Sequence, residues 1–137
     1  MSLMDVYKIA GSGLYAQRVR ISVAATNIAN ADVTRTLQGG PYVAKDVVLR
    51  AVPISDKNPY LQGVEVEAIV NSKRPFKMVY DPDNPDADKN GYVKYPNVDV
   101  VTEMVELLSA SRAYEANLAV VTTSKDMALR TIDLLRT

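Results

Sequence analysis

Two stretches, one at each end of the chain, carry apolar or small residues at alternating steps of four and three. In the first, Leu3, Tyr7, Ala10, Leu14, Gln17, Ile21, Ala24, Ile28 and Ala31 keep this spacing. In the second it runs through Met104, Leu107, Ser111, Tyr114, Leu118, Val121, Lys125, Ala128, Ile132 and Leu135. Only Gln17, Ser111 and Lys125 break the apolar or small character. Such a repeat draws one stripe down an α-helix, the seam along which a coiled coil closes. Both ends are therefore predicted to be helices that pack on other helices.

The stripe on the second helix is wider than a seam. Val101, Leu108 and Leu129 fill an adjacent row, and Val105 and Val120 extend it further. A two-helix coil needs only the seam, so a stripe this wide suits a helix with several neighbours. One 137-residue chain supplies a single partner helix. The remaining contacts are expected from other subunits. About 37 helical residues make a rod roughly 55 Å long.

The residues between the ends change character. Gly39, Gly40 and Pro41 signal a turn, and residues 42–52 are β-branched and apolar enough for a strand. Residues 64–70 alternate cleanly, predicting a strand with Val64, Val66, Ala68 and Val70 on one face. Phe76, Met78 and Tyr80 suggest a third strand. Asn90 and Gly91 form a type I′ turn signal before an extended stretch at 92–95. Six prolines between 53 and 96 make this a small, loop-rich module. Pro96 closes it, and Asp99 is placed to cap the helix that follows. The expected organisation is an N-terminal helix over 1–36, a β-rich module over 37–96 and a long helix over 97–137. The fold class is mainly α with a small β module, the terminal helices pairing as a coiled-coil-like hairpin.

Composition closes off whole classes of function. There is no Cys and no His, which removes thiol chemistry, imidazole catalysis and the commonest zinc sites. Sixteen basic residues balance sixteen acidic ones, so no net field draws the chain to nucleic acid. No segment approaches the ~20 apolar residues that cross a bilayer. The first residues lack a basic stretch followed by an apolar core and do not read as a secretory signal.

The candidate sites are few. Asp86, Asp88, Asn90 and Gly91 match positions 1, 3, 5 and 6 of an EF-hand loop. Position 12 falls on Asn97, which cannot give the bidentate carboxylate, so a turn held by local hydrogen bonds is the preferred reading. Glu65 and Glu67 fall on the solvent face of the predicted strand. Arg112, Tyr114 and Glu115 read equally as seam and flank residues or as a register device against a neighbouring subunit. No catalytic group, metal or cofactor site emerges.

Several stretches resemble one family. Residues 12–17 and 24–31, the latter holding Asn27, Ala29 and Asn30 as an Asn-x-Ala-Asn motif, resemble the N-terminal signature of bacterial flagellar rod and hook proteins. Residues 78–88, 90–94, 96–105 and 109–117 are similar to the proximal branch of the basal-body rod proteins. Most relatives place a Thr-x-Gly-Tyr element directly after the Asn-x-Ala-Asn motif. Here Gly39-Gly40-Pro41-Tyr42 follows only after an insertion, and proximal rod members carry a similarly lengthened junction.

The resemblance implies a structural role without a cofactor. Family members polymerise through their terminal helices into the axial tube that transmits torque and lines the export channel. It makes Leu3, Tyr7, Ala10, Leu14, Ile21, Ala24, Ile28 and Ala31 subunit-packing positions. On the second helix it does the same for Met104, Leu107, Leu108, Tyr114, Leu118, Val121, Ala128, Ile132 and Leu135. Implied partners are copies of the chain, other rod proteins, the MS-ring protein, its rod adapter and the flagellar type III export apparatus. The implied location is the periplasmic part of the basal body, reached without a cleaved signal peptide. Another axial subunit, a finite coiled-coil binder and a small calcium module are the alternatives.

Overall fold

The computed structural model describes residues 1–136. Helix α1 spans Leu3–Ala29, strands β1 to β4 span Lys45–Pro53, Gln62–Asn71, Lys77–Tyr80 and Tyr92–Tyr95, and helix α2 spans Val100–Arg136. The expected Thr137 lies outside the described residues. Among those described, no helix is long and apolar enough to cross a membrane.

Each helix starts where the chemistry directs. Ser2 and Asp5 form a capping box: the Ser2 hydroxyl accepts from the Asp5 amide while the Asp5 carboxylate accepts from the Ser2 amide. Asp99 caps α2 as expected, its Oδ1 accepting from the amides of Val101 and Thr102. The Asp99 carboxyl is held below its ordinary pKa chiefly by the Thr102 amide. Helix α1 stops two residues earlier than the repeat predicts. Asn30 turns its side-chain amide onto the Thr26 carbonyl at 2.8 Å, closing the last turn and leaving Ala31 outside.

The two helices run antiparallel. Leu3 and Val6 lie beside Ala128 and Ile132, Gly13 meets Asn117, and Arg20 reaches Glu106. The approach at Gly13 is close: an added Cβ there would stand 2.7 Å from Asn117 Oδ1. Gly13→Val should therefore cost about 2 kcal/mol through overpacking. Asn117→Ala in the same chain should recover part of it, a non-additivity readable in urea melts.

Helix α1 also lies along the first sheet. The Ser12 hydroxyl donates to the Ile9 carbonyl and accepts from the Val64 amide at 3.1 Å, joining α1 to β2. β1 and β2 pair antiparallel from Lys45 opposite Asn71 to Pro53 opposite Gln62. Residues 42–44, expected as part of that strand, instead bond elsewhere and precede it. A register shift between Val48 and Leu49 leaves Glu67 without an opposite residue. Val64, Val66 and Ala68 are half-buried as alternation predicts, but beyond the shift both Ile69 and Val70 are exposed.

β3 and β4 form a second, separate two-stranded sheet. The type I′ reading of Asn90 and Gly91 fails. That turn needs positive φ at both residues, and only Gly91 has it, at 84°. Residues 81–91 form a longer connection instead, in which Gly91 N–H donates to the Asp88 carbonyl and Asp88 N–H to the Tyr92 carbonyl.

The core is made of small residues. Among the described residues the buried apolar side chains include Ala10, Ala16, Ala24, Ala44, Ala110, Val93, Pro96 and Val98. Alanines let backbones approach closely but remove little apolar area from water. The larger aliphatic side chains lie mostly at the surface.

Candidate assembly surface and its polar joints

Three buried polar groups fix the helices to the strands between them. Asn27, at the end of α1, is fully buried. Its Nδ2 donates to the Lys45 carbonyl at 2.9 Å, and its Oδ1 accepts from the Lys45 amide at 3.0 Å and the Tyr42 hydroxyl at 2.7 Å. Burial, with the nearby Glu103 charge, pushes the Tyr42 hydroxyl above its ordinary pKa, which keeps this donor protonated. The family motif residue is thus a structural hub. Asn30 acts as a cap, and Ala29 is exposed.

Asn97 does the same at the entrance to α2. Its Oδ1 accepts from the Ala44 amide at 2.8 Å, and its Nδ2 donates to the carbonyls of Arg74 and Ser72. Glu103, an acidic residue in the first turn of α2, is buried. Its carboxylate lies 3.5 Å from Arg74 Nη2. Burial of an unpaired charge is costly, and the Arg74 guanidinium compensates this one, joining α2 to the segment after β2.

The junction after α1 forms a compact turn. Tyr42 N–H returns to the Val33 carbonyl, and Gly39 and Gly40 take positive φ to reverse the chain. Asp86 reaches into it, accepting from the Thr34 hydroxyl at 2.8 Å and from Arg35. Asp88 accepts from the amides of Asn90 and Tyr92. Both carboxylates of the calcium-like stretch are engaged in turn and loop hydrogen bonds.

Those bonds give Asp86 a pH signature. The Thr34 hydroxyl first, then Arg35, hold its carboxyl below the ordinary 3.8. A depressed folded-state pKa stabilises fully above the unfolded value and is lost as pH falls through the folded one. Asp86→Asn should therefore be less stable than the parent at neutral pH. The gap should close as pH falls below about 4 in paired urea melts.

The apolar repeat divides between two sides of α2. The side turned to α1 consists of Glu103, Leu107, Ala110, Tyr114, Asn117, Val121, Ser124 and Ala128, with Ser111 and Ala113 at its edges. It shares Leu107, Tyr114, Val121 and Ala128 with the predicted seam. The other predicted row is displaced by one residue. Small and polar side chains lie against α1, while Met104, Leu108 and Leu118 face outward, exposed by 54%, 56% and 47%, and Ile132, on the α1 side beside Leu3 and Val6, is left 52% exposed at the end of the hairpin. Leu135 is exposed as well. On α1, Ala10 and Ala24 are buried, Tyr7, Leu14, Ile21 and Ile28 are half-buried, and Leu3 is exposed; Ala31, just past its end, is half-buried. Large apolar side chains thus stand exposed along one face of α2.

A small-residue core, polar joints and an outward apolar row belong to a subunit of a larger assembly, and the comparisons name its kind. Residues 8–35 match the flagella basal body rod protein domain, and residues 89–134 match the C-terminal domain of the flagellar basal body rod FlgEFG proteins. The chain is similar to the flagellar basal-body rod protein FlgC of Salmonella typhimurium, with 50% identity over 98% of both chains. It is 49% identical to that of Escherichia coli O6:H1, over 98% of both chains, and 41% identical to that of Borreliella burgdorferi, over 99% of both. The chain belongs to the FlgC family of flagellar basal-body rod proteins. It is a structural rod subunit of the flagellar basal body and not an enzyme.

Proposed function

We propose that this chain polymerises through its terminal helices, with copies of itself and with other rod proteins, into the axial tube. In this reading α1 and α2 close as a coiled-coil-like hairpin. The core unit comprises residues 1–36 and 97–137, and the module of 37–96 braces neighbours further out. The observation that carries it is the exchange of sizes between inside and outside. Alanines fill the chain's own core, while Met104, Leu108, Leu118, Ile132 and Leu135 are left for others to cover.

The tube transmits torque and lines the channel through which later subunits pass. Its base meets the MS-ring protein and the rod adapter, in the periplasmic part of the basal body. The chain arrives there through the flagellar type III apparatus, without a cleaved signal peptide. Burying many apolar rows between neighbours makes the tube stiff, since each contact excludes water and the load is shared. Deleting the gene should leave membrane rings without a rod in electron micrographs and cells that do not swim. Restoring the unaltered gene should restore both. Normal rods in the deletion strain would refute the proposal.

A further inference from the structure

The two edges of the second sheet are not equally covered. Asp81 N–H donates to the Gly91 carbonyl at 2.8 Å, continuing the β3–β4 pairing by one residue. Antiparallel alternation then turns the amides and carbonyls of Met78 and Tyr80 away from β4, and those of Tyr92 away from β3. The fold closes the β4 edge at Tyr92, whose N–H donates to Asp88 Oδ1 at 2.9 Å and whose carbonyl accepts from the Asp88 amide at 2.8 Å. The β3 edge has no such cover among the described residues. There β3 meets β4 and no other strand or helix, and its residues are all exposed, Met78 by 52% and Tyr80 by 64%. It carries no proline and no bulge, and Lys77 is its one charge, so little keeps a second strand away.

Unpaired amides and carbonyls at strand spacing are matched by another strand, which fixes the kind of partner. The charges fix which one. Lys77 stands at one end of this edge and Asp81 just past the other, and neither makes an ion pair among the described residues. An antiparallel copy of the same segment, centred on Val79, sets Lys77 opposite Asp81 at both ends. The same register sets Met78 opposite Tyr80, the residues whose backbone groups point outward. The neighbouring registers lose one feature or the other. One sets Lys77 opposite Val79, and the other sets Met78 opposite Pro82, which has no amide. We propose that two free copies of this chain pair β3 against β3 about Val79, joining two hairpins into one sheet. Lys77 and Asp81 then form non-hydrogen-bonded pairs, in which opposed side chains approach most closely. The contact is two-fold and closes on a pair, so it belongs to copies outside an extended array. It shields an edge that would otherwise template aggregation of the free chain.

A short edge gives a weak, reversible pair, which a disulfide traps, and the chain has no cysteine to confuse the result. In the purified full chain, Val79→Cys would set two Cα atoms about 4.5 Å apart across the two-fold axis, within disulfide reach. Lys77→Cys would set its two copies roughly 13 Å apart, out of reach. Mild oxidation should therefore link Val79→Cys at least about tenfold faster than Lys77→Cys. Mixing Lys77→Cys with Asp81→Cys should restore a link, between unlike copies. Adding Met78→Pro to Val79→Cys removes an outward amide and leaves the β3–β4 ladder intact. With circular dichroism unchanged, it should slow the link about tenfold, and Met78→Thr, which keeps the amide, should slow it far less. Should Met78→Pro not fold, Lys77→Glu decides. It sets like charges opposite each other at both ends and should slow the link, and adding Asp81→Lys should restore it. A Val79→Cys link no faster than that of Lys77→Cys overturns the proposal. So does one that neither Met78→Pro in a folded chain nor Lys77→Glu slows.

Discussion

Asn27→Ala is expected to destabilise the isolated chain by about 3 kcal/mol, a large share of the 5–15 kcal/mol typical of a folded domain. The substitution removes three hydrogen bonds at once and leaves the Tyr42 hydroxyl and both backbone groups of Lys45 without a partner. Each buried unpaired group costs about 1–3 kcal/mol, and the low end applies because Tyr42 and Lys45 are only half-buried. Tyr42→Phe removes one of the three and leaves Asn27 Oδ1 satisfied by the Lys45 amide. It should cost about 1 kcal/mol. Urea melts of the two variants check the ratio. Equal losses would mean that Asn27 acts only through Tyr42, and no loss would remove its role as a hub.

Leu118→Asp should have the opposite profile, a folded monomer that does not assemble. Leu118 is 47% exposed, and surface substitutions usually shift stability by no more than about 0.5 kcal/mol. In the proposed tube the same position is covered by a neighbour, where an unpaired carboxylate costs several kcal/mol. Because the defect repeats at every copy, swarming on soft agar should be abolished while the thermal melt is unchanged. Leu107→Asp is the informative contrast. Leu107 is half-buried against α1, so it should lose both stability and motility. A fully motile Leu118→Asp strain would remove this face of α2 from the assembly.

Both helices were legible because a repeat of four and three is a strong periodic signal, and the start of α2 followed from Asp99 and Pro96. The side each helix turns to its partner was not. Hydrophobicity ranks Met104 and Leu118 above Glu103 and Asn117, so the pattern points to the greasier row as the inner one. Inside the chain Gly13 and the alanines bring the backbones too close for large side chains, and the small or polar row fits. Size, not hydrophobicity, decides which row lies inward. The strand pairing was readable in outline, but the Glu67 shift depends on the cross-strand partner and leaves no local trace. Asn27 was visible only as part of a motif, and Asn97 only as a failed calcium ligand. Their contacts come from residues 15 to 53 positions away, which no local window connects. Glu103 illustrates the same limit, since a charge in a first helical turn has a sufficient local explanation.

The central claim is that this chain is built into the rod, with its exposed α2 row covered there. The most direct measurement is quantitative mass spectrometry of purified basal bodies from the source organism, before and after the rings are stripped away. The account predicts several copies of the chain retained with the rod after stripping. Intact basal bodies that lack the chain, or lose it together with the rings, would contradict it.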